Sequence, residues 1–137
     1  VLKTIRQILE NGELRRFIIV GGIGFLVDGG ILTLLTSQGI SIFTARLISF
    51  LLAVSVTWLL NRSWTFVADS YTGPREYFFY FLIQAFGAII NLSIFYLLIF
   101  GIPDLKRILL IPLALGAGVS LIFNFIVSKY FIFKKAV

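Results

Sequence analysis

Four apolar runs, at about residues 16 to 36, 44 to 64, 77 to 99 and 108 to 130, take up most of this 137-residue chain. Each is near or above the ~20 residues that a helix needs to cross ~30 Å of hydrocarbon. Between them lie short polar, glycine-bearing stretches: Ser37-Gln38-Gly39, residues 69 to 74, and Gly101-Ile102-Pro103-Asp104. Lipid offers no partner for backbone N–H and C=O, so the runs are predicted to be helices. With 59% hydrophobic residues, 13% charged residues and a mean hydropathy of +1.03, a soluble domain of this size would carry more apolar surface than its interior could take up. Lipid must cover the rest.

The chain also repeats itself. Asn61-Arg62-Ser63-Trp64-Thr65-Phe66 and Ser128-Lys129-Tyr130-Phe131-Ile132-Phe133 close the second and fourth runs, 67 positions apart. The same offset lays Gly116, Ser120, Asn124 and Ser128 over Ser49, Ala53, Thr57 and Asn61, a ridge of small or polar residues at i, i+4 spacing on one helix face. An offset of 63 lays Gln84, Gly87 and Asn91 over Gly21, Gly24 and Asp28. The expected fold is therefore all-α and integral to the membrane: four transmembrane helices as a tandem repeat of two helical hairpins, both copies in the same orientation. Residues 1 to 15 form a separate segment. Val1, Leu2, Ile5, Ile8 and Leu9 recur at helical spacing against Lys3, Arg6, Gln7 and Glu10, which predicts a short amphipathic helix in the headgroups, with Asn11-Gly12 turning the chain into a four-helix domain over 16 to 137. The chain opens on Val1 and contains no Met, so it is expected to be a processed or excised part of something longer.

Charge sets the expected orientation. Lys3, Arg6, Arg15, Arg16, Arg62, Arg75, Lys129, Lys134 and Lys135 fall on one side, nine of the twelve cations, which predicts cytoplasmic termini in a multi-pass protein of the cytoplasmic membrane. Arg46, Lys106 and Arg107 lie toward the outer face. The net charge of +6 is then a topology signal and an attraction for anionic lipid, with no soluble basic face for nucleic acid.

The chain has no His and no Cys, which removes imidazole bases, thiol nucleophiles and the usual zinc ligand sets. No metal site, cofactor or catalytic residue is expected. Of six carboxylates, Glu10, Glu13, Asp69, Glu76 and Asp104 sit near span boundaries and read as solvated charge. Asp28 differs. It lies ~18 Å past Arg16 along a helix, where a carboxylate costs ~2.5 kcal/mol or more unless protonated, paired or wet. Arg46 is the expected partner, and the pair either fixes helix register or serves an anionic headgroup or a protonation step. A second constellation lies at the cytoplasmic ends, where Asn61 with Arg62 and Ser128 with Lys129 set a polar side chain beside a cation, next to Trp64 and Tyr130. Such cations either snorkel within an aromatic belt or hold a phosphate. Asn124 is read first as a bond between helices and second as a ligand contact.

Arg16-Phe17-Ile18-Ile19-Val20-Gly21-Gly22, Ala45, Asn61-Arg62-Ser63-Trp64-Thr65-Phe66, Asn91, and Asn124-Phe125 running to Ser128-Lys129-Tyr130-Phe131-Ile132-Phe133 together resemble the GtrA-like family, over residues 15 to 134. The first copy departs from that family's pattern at Thr57-Trp58, where Asn-Phe is usual. The resemblance implies a role in cell-surface polysaccharide and glycolipid synthesis: binding a polyprenyl-phosphate or its sugar conjugate and assisting its passage across the membrane. On this expectation Arg62 and Lys129 receive the phosphate with Asn61 as a further substrate contact beside Arg62, Asp28, Asn91 and Asn124 offer polar stations between helices, and Arg46 attracts the headgroup near the outer side. A homodimer is expected, because four helices leave little room for a sugar. The main alternative is the membrane anchor and lipid-acceptor domain of a dolichyl- or polyprenyl-phosphate glycosyltransferase, separate or fused. A third is a proton-coupled exporter that uses Asp28.

Overall fold

The computed structural model describes residues 1–68, 73–108 and 110–134, apart from the side chains of Ile5, Ile8 and Leu9. The expectations for those three side chains, for Asp69 and residues 69–72 of the middle connection, and for Lys135 lie outside the described residues. Five α-helices account for most of the chain: α1 (Leu2–Glu10), α2 (Glu13–Ser37), α3 (Ile42–Leu60), α4 (Pro74–Gly101) and α5 (Leu110–Val127). No strand occurs among the described residues. The last four helices, with α3 and α5 extended by the turns described below, are long and apolar enough to cross a membrane. Their ends fall within a few residues of the expected spans.

Two compact units divide the chain, Val1–Tyr71 and Thr72–Lys134. In the first, α2 packs along α3. Gly12, at φ 65°, takes the left-handed conformation that lets the chain turn from α1 into α2. At the far end of α2, Gly39 (φ 83°) and Ile40 return N–H bonds to the Thr36 and Leu35 carbonyls, a Schellman closure. Ser41 then caps α3, its Oγ accepting from the Thr44 N–H at 3.2 Å. In the second unit α4 packs along α5, joined through a 3-10 helix, Pro103–Arg107.

Both small-residue ridges face inward. Ser49, Ala53 and Asn61 are buried with Thr57 half-buried; Gly116, Ser120 and Ser128 are buried with Asn124 half-buried. Opposite Gly24, an added Cβ would meet the Thr57 methyl at 2.5 Å; opposite Gly87 it would overlap the Asn124 carboxamide. Close backbone approach through small residues is what helix pairing in lipid requires. The outward faces are the reverse: Phe25, Leu26, Leu97 and Leu110 are each at least 72% exposed, a surface for hydrocarbon and not for water.

Each hairpin ends in a π-helical turn, Asn61–Thr65 and Ser128–Ile132. The Phe66 N–H reaches back five residues to the Asn61 carbonyl at 2.9 Å, and the Phe133 N–H to the Ser128 carbonyl at 2.8 Å. The wider turn takes in one extra residue and re-aims the side chains that follow. Phe66 thereby packs on Phe17 of α2, with centroids 6.0 Å apart, and Phe133 packs on Tyr80 of α4 at 5.8 Å.

Candidate functional site

Asp28 of α2 and Arg46 of α3 are paired. Arg46 Nη1 lies 2.7 Å from Asp28 Oδ2, and Ser49 Oγ donates to Asp28 Oδ1 at 2.7 Å. Both carboxylate oxygens are thus engaged, and the Asp28 side chain is only 18% exposed, whereas that of Arg46 is 56% exposed. Because α2 and α3 run antiparallel through a short loop, Arg46, one turn into α3, comes level with Asp28 on α2. A carboxylate held from two sides fixes the position of the guanidinium while leaving other N–H groups to face outward. Such a group attracts an anion without being lost from its helix. Ser49 is a member of this cluster that sequence reasoning missed. Its signal was present, since it belongs to the small-residue ridge facing α2.

The other end of the first hairpin is separate. Arg46 and Asn61 are 15 residues apart on one helix, about 22 Å, so Asp28 and Arg46 do not share a site with Asn61 and Arg62. Asn61 is buried, its Oδ1 accepting from Thr65 Oγ1 at 2.8 Å. It anchors the π-turn from within, and the next residue, Arg62, is half-buried with its Nη2 enclosed. In the second unit Ser128 takes the place of Asn61, fully buried, and is followed by half-buried Lys129. The Lys129 ammonium lies 5.9 Å from the Phe125 ring centroid and 5.7 Å from that of Tyr130, within cation–π range.

Asn124 Nδ2 donates to Gln84 Oε1 at 3.2 Å, the helix-to-helix bond expected of a buried amide, and Ser120 Oγ donates to the Gly87 carbonyl at 2.7 Å. Asn124 Oδ1 is buried with no hydrogen-bond partner among the described residues, which leaves an acceptor free within the hairpin. Asn91 sits where Gly116 admits it; a Cβ there would come within 2.7 Å of the Asn91 backbone carbonyl.

Two boundary carboxylates depart from the sequence reading. Glu13 and Glu76 are buried, at 9% and 5% exposure, not solvated. Each occupies the first turn of its helix, where free N–H groups and the positive end of the helix dipole favour an anion. They are 63 positions apart, the offset already seen between α2 and α4, and that spacing was the available signal. Among the described residues no group of three acidic side chains is placed to hold a metal ion.

Four long apolar helices that bury small and polar residues against one another, with cations at the helix ends, define a multi-pass α-helical membrane protein. Residues 16–133 match the model of the GtrA/DPMS transmembrane domain, and the chain belongs to that family. Membership associates it with glycolipid and polyprenyl-sugar pathways. No curated protein matches the chain.

Proposed function

We propose that the protein binds a polyprenyl-phosphate, or its monosaccharide conjugate, in the cytoplasmic membrane and assists its passage, with no bond-making chemistry of its own. The observation that carries this reading is the recurrence of one π-turn at the end of both hairpins, each with a cation directly after a buried polar anchor, in a domain of the GtrA/DPMS family. A π-turn is rare in regular helix and is frequently found at functional positions. With the nine majority cations cytoplasmic, Arg62 and Lys129 meet the phosphate on that side, and both termini lie there. Asn61 serves by holding the turn. Asn91 and Asn124 offer neutral polar stations along the second hairpin, and the Asp28-anchored Arg46 draws the headgroup toward the outer side. A homodimer supplies the room a sugar needs. The glycosyltransferase-anchor reading shares the same lipid contacts.

The test is binding of a polyprenyl-phosphate and of the matching uncharged prenol to the full chain. Arg62→Gln is expected to weaken the phosphate lipid about tenfold, the loss of one charge-assisted contact. Arg62→Lys is expected to restore part of it, because a point charge lacks the guanidinium fork. The prenol should hardly respond. Unchanged phosphate-lipid affinity in folded Arg62→Gln/Lys129→Gln protein makes the two turns interfacial anchors and removes the reading.

A further inference from the structure

Where α4 begins and the second π-turn ends, the second hairpin has an opening of about 610 Å³. Arg75, Glu76 and Lys134 stand at its polar side, and Phe79, Ile83 and Phe131 line its apolar wall. The first hairpin shows why this gap stays open. At the 63- and 67-residue offsets, Phe79 matches Arg16 and Phe131 matches Trp64. Arg16 Nη1 donates to the Trp64 carbonyl at 2.8 Å and Nη2 to the Asn11 carbonyl at 3.4 Å, tying the start of α2 to its π-turn. Phe79 has no donor with which to make that tie.

The lining describes its occupant. An apolar wall would be wasted on an inorganic ion, and two cations would be wasted on a neutral lipid. Glu76 also lines the opening but is 5% exposed, whereas Arg75 and Lys134 are exposed, so one carboxylate lies beneath two accessible cations. The Arg75 guanidinium lies 5.4 Å from the Phe79 ring centroid, at the junction of the charged rim and the apolar wall. The opening is large enough for a phosphate with a stretch of chain. We propose that this pocket binds a single-chain lipid phosphomonoester, its phosphate held by Arg75 and Lys134 and its first chain carbons packed on Phe79, Ile83 and Phe131. The assignment rests on the reading of the protein as a polyprenyl-phosphate binder, and it adds a phosphate seat at this rim to the Lys129 contact of the second hairpin.

The experiment uses the full chain in phosphatidylcholine nanodiscs with farnesyl phosphate and farnesol as probes. Arg75→Gln and Lys134→Gln are each expected to weaken farnesyl phosphate about tenfold and to leave farnesol unchanged. Lys134 follows the last helical turn and is exposed, so its replacement tests the phosphate contact even if Arg75→Gln impairs folding. Ile83→Trp, which fills the wall, should weaken both probes. If Arg62→Gln/Lys129→Gln abolishes binding while Arg75→Gln/Lys134→Gln does not, the pocket assignment is overturned and the proposed function stands. Farnesyl phosphate failing to bind the unaltered protein overturns both. Displacement of the probe by equimolar dioleoylphosphatidylglycerol overturns the single-chain assignment.

Discussion

At matching depth, α2 carries Asp28 held by Arg46 and Ser49, while α4 carries Asn91 lying against Gly116. One turn nearer the π-turn, the two hairpins agree in form: Gly24 admits the Thr57 methyl, and Gly87 admits the Asn124 carboxamide. At the π-turn they agree again, in the Phe17–Phe66 and Tyr80–Phe133 ring contacts. The second hairpin therefore pairs its helices with small and neutral residues alone at this level. An ion pair is not needed for this kind of packing, and its presence in the first hairpin asks for another use. The proposed function gives it one, the anchoring of half-exposed Arg46 where an anionic headgroup would arrive.

The largest expected effect breaks the comparison at this level. Asp28→Ala leaves the Arg46 cation without its partner, and removal of one member of a poorly hydrated pair costs about 3 kcal/mol. Asn91→Ala removes a neutral amide from the matching place and should cost about 1 kcal/mol. Unfolding of the purified protein in mixed micelles measures both. Combining Asp28→Asn with Arg46→Gln, a neutral imitation of the second hairpin, should regain most of the loss, and strict additivity of the two single changes would show that the pair is not coupled. If the double change is stable yet lipid transport is lost, the charges serve function and not register.

Much of this contrast was legible in the sequence. The four spans follow from run length, because hydrocarbon thickness fixes how many residues a helix needs. The Asp28–Arg46 pair follows from cost, since a lone carboxylate at that depth has to find a cation and Arg46 was within reach. The facing ridges follow from i, i+4 spacing. The π-turns were not legible: a shift from i−4 to i−5 bonding is decided by where Phe66 and Phe133 find aromatic partners on another helix, and those contacts carry no local spacing signal. Burial of Glu13 and Glu76 was missed for a similar reason. Proximity to a span boundary says that a charge can reach water, not that it does. The Arg75 and Lys134 rim escaped notice because its members lie 59 positions apart and meet only through the fold.

Glycine substitutions sharpen the comparison at the next level of effect. Gly116→Ala sets a methyl against the Asn91 backbone carbonyl, which moves only if α4 moves, so about 2 kcal/mol is expected from overpacking. Gly24→Ala meets a side-chain methyl, that of Thr57, and should cost nearer 1 kcal/mol. Thr57→Ser removes that methyl and should rescue Gly24→Ala, whereas it should do nothing for Gly116→Ala. Equal costs at the two glycines, or rescue of both, would mean that the contacts differ from those described.

Smaller still is the tie present in one hairpin only. Arg16→Leu removes the donor to the Trp64 carbonyl and is expected to cost about 1 kcal/mol, the net worth of such a bond at a partly exposed site. Phe79→Leu, at the matching place beside the open pocket, should change stability less than it changes lipid binding. A larger stability loss at Phe79 than at Arg16 would make the second hairpin the one closed by packing and reverse the contrast.

The smallest effect concerns the exit from the first π-turn. Val67, at φ 47°, is the one non-glycine residue with positive φ among the described residues, and the following Ala68 N–H closes on the Arg62 carbonyl at 2.9 Å. A β-branched residue in the left-handed region costs roughly 1–2 kcal/mol, and glycine removes that strain while adding about 0.5–1 kcal/mol of unfolded-state entropy. Val67→Gly is therefore expected to stabilise by about 0.5 kcal/mol, measured as a higher unfolding midpoint in the same micelles. Lys134→Gly, at the matching position 67 residues on, relieves no such conformation and should bring only the entropic loss. Opposite signs at the two positions would show that the two π-turns, alike in hydrogen bonding, release the chain differently. The strain at Val67 then belongs to the first hairpin alone, a conformation held by the Ala68–Arg62 closure directly beside the cation assigned to the phosphate.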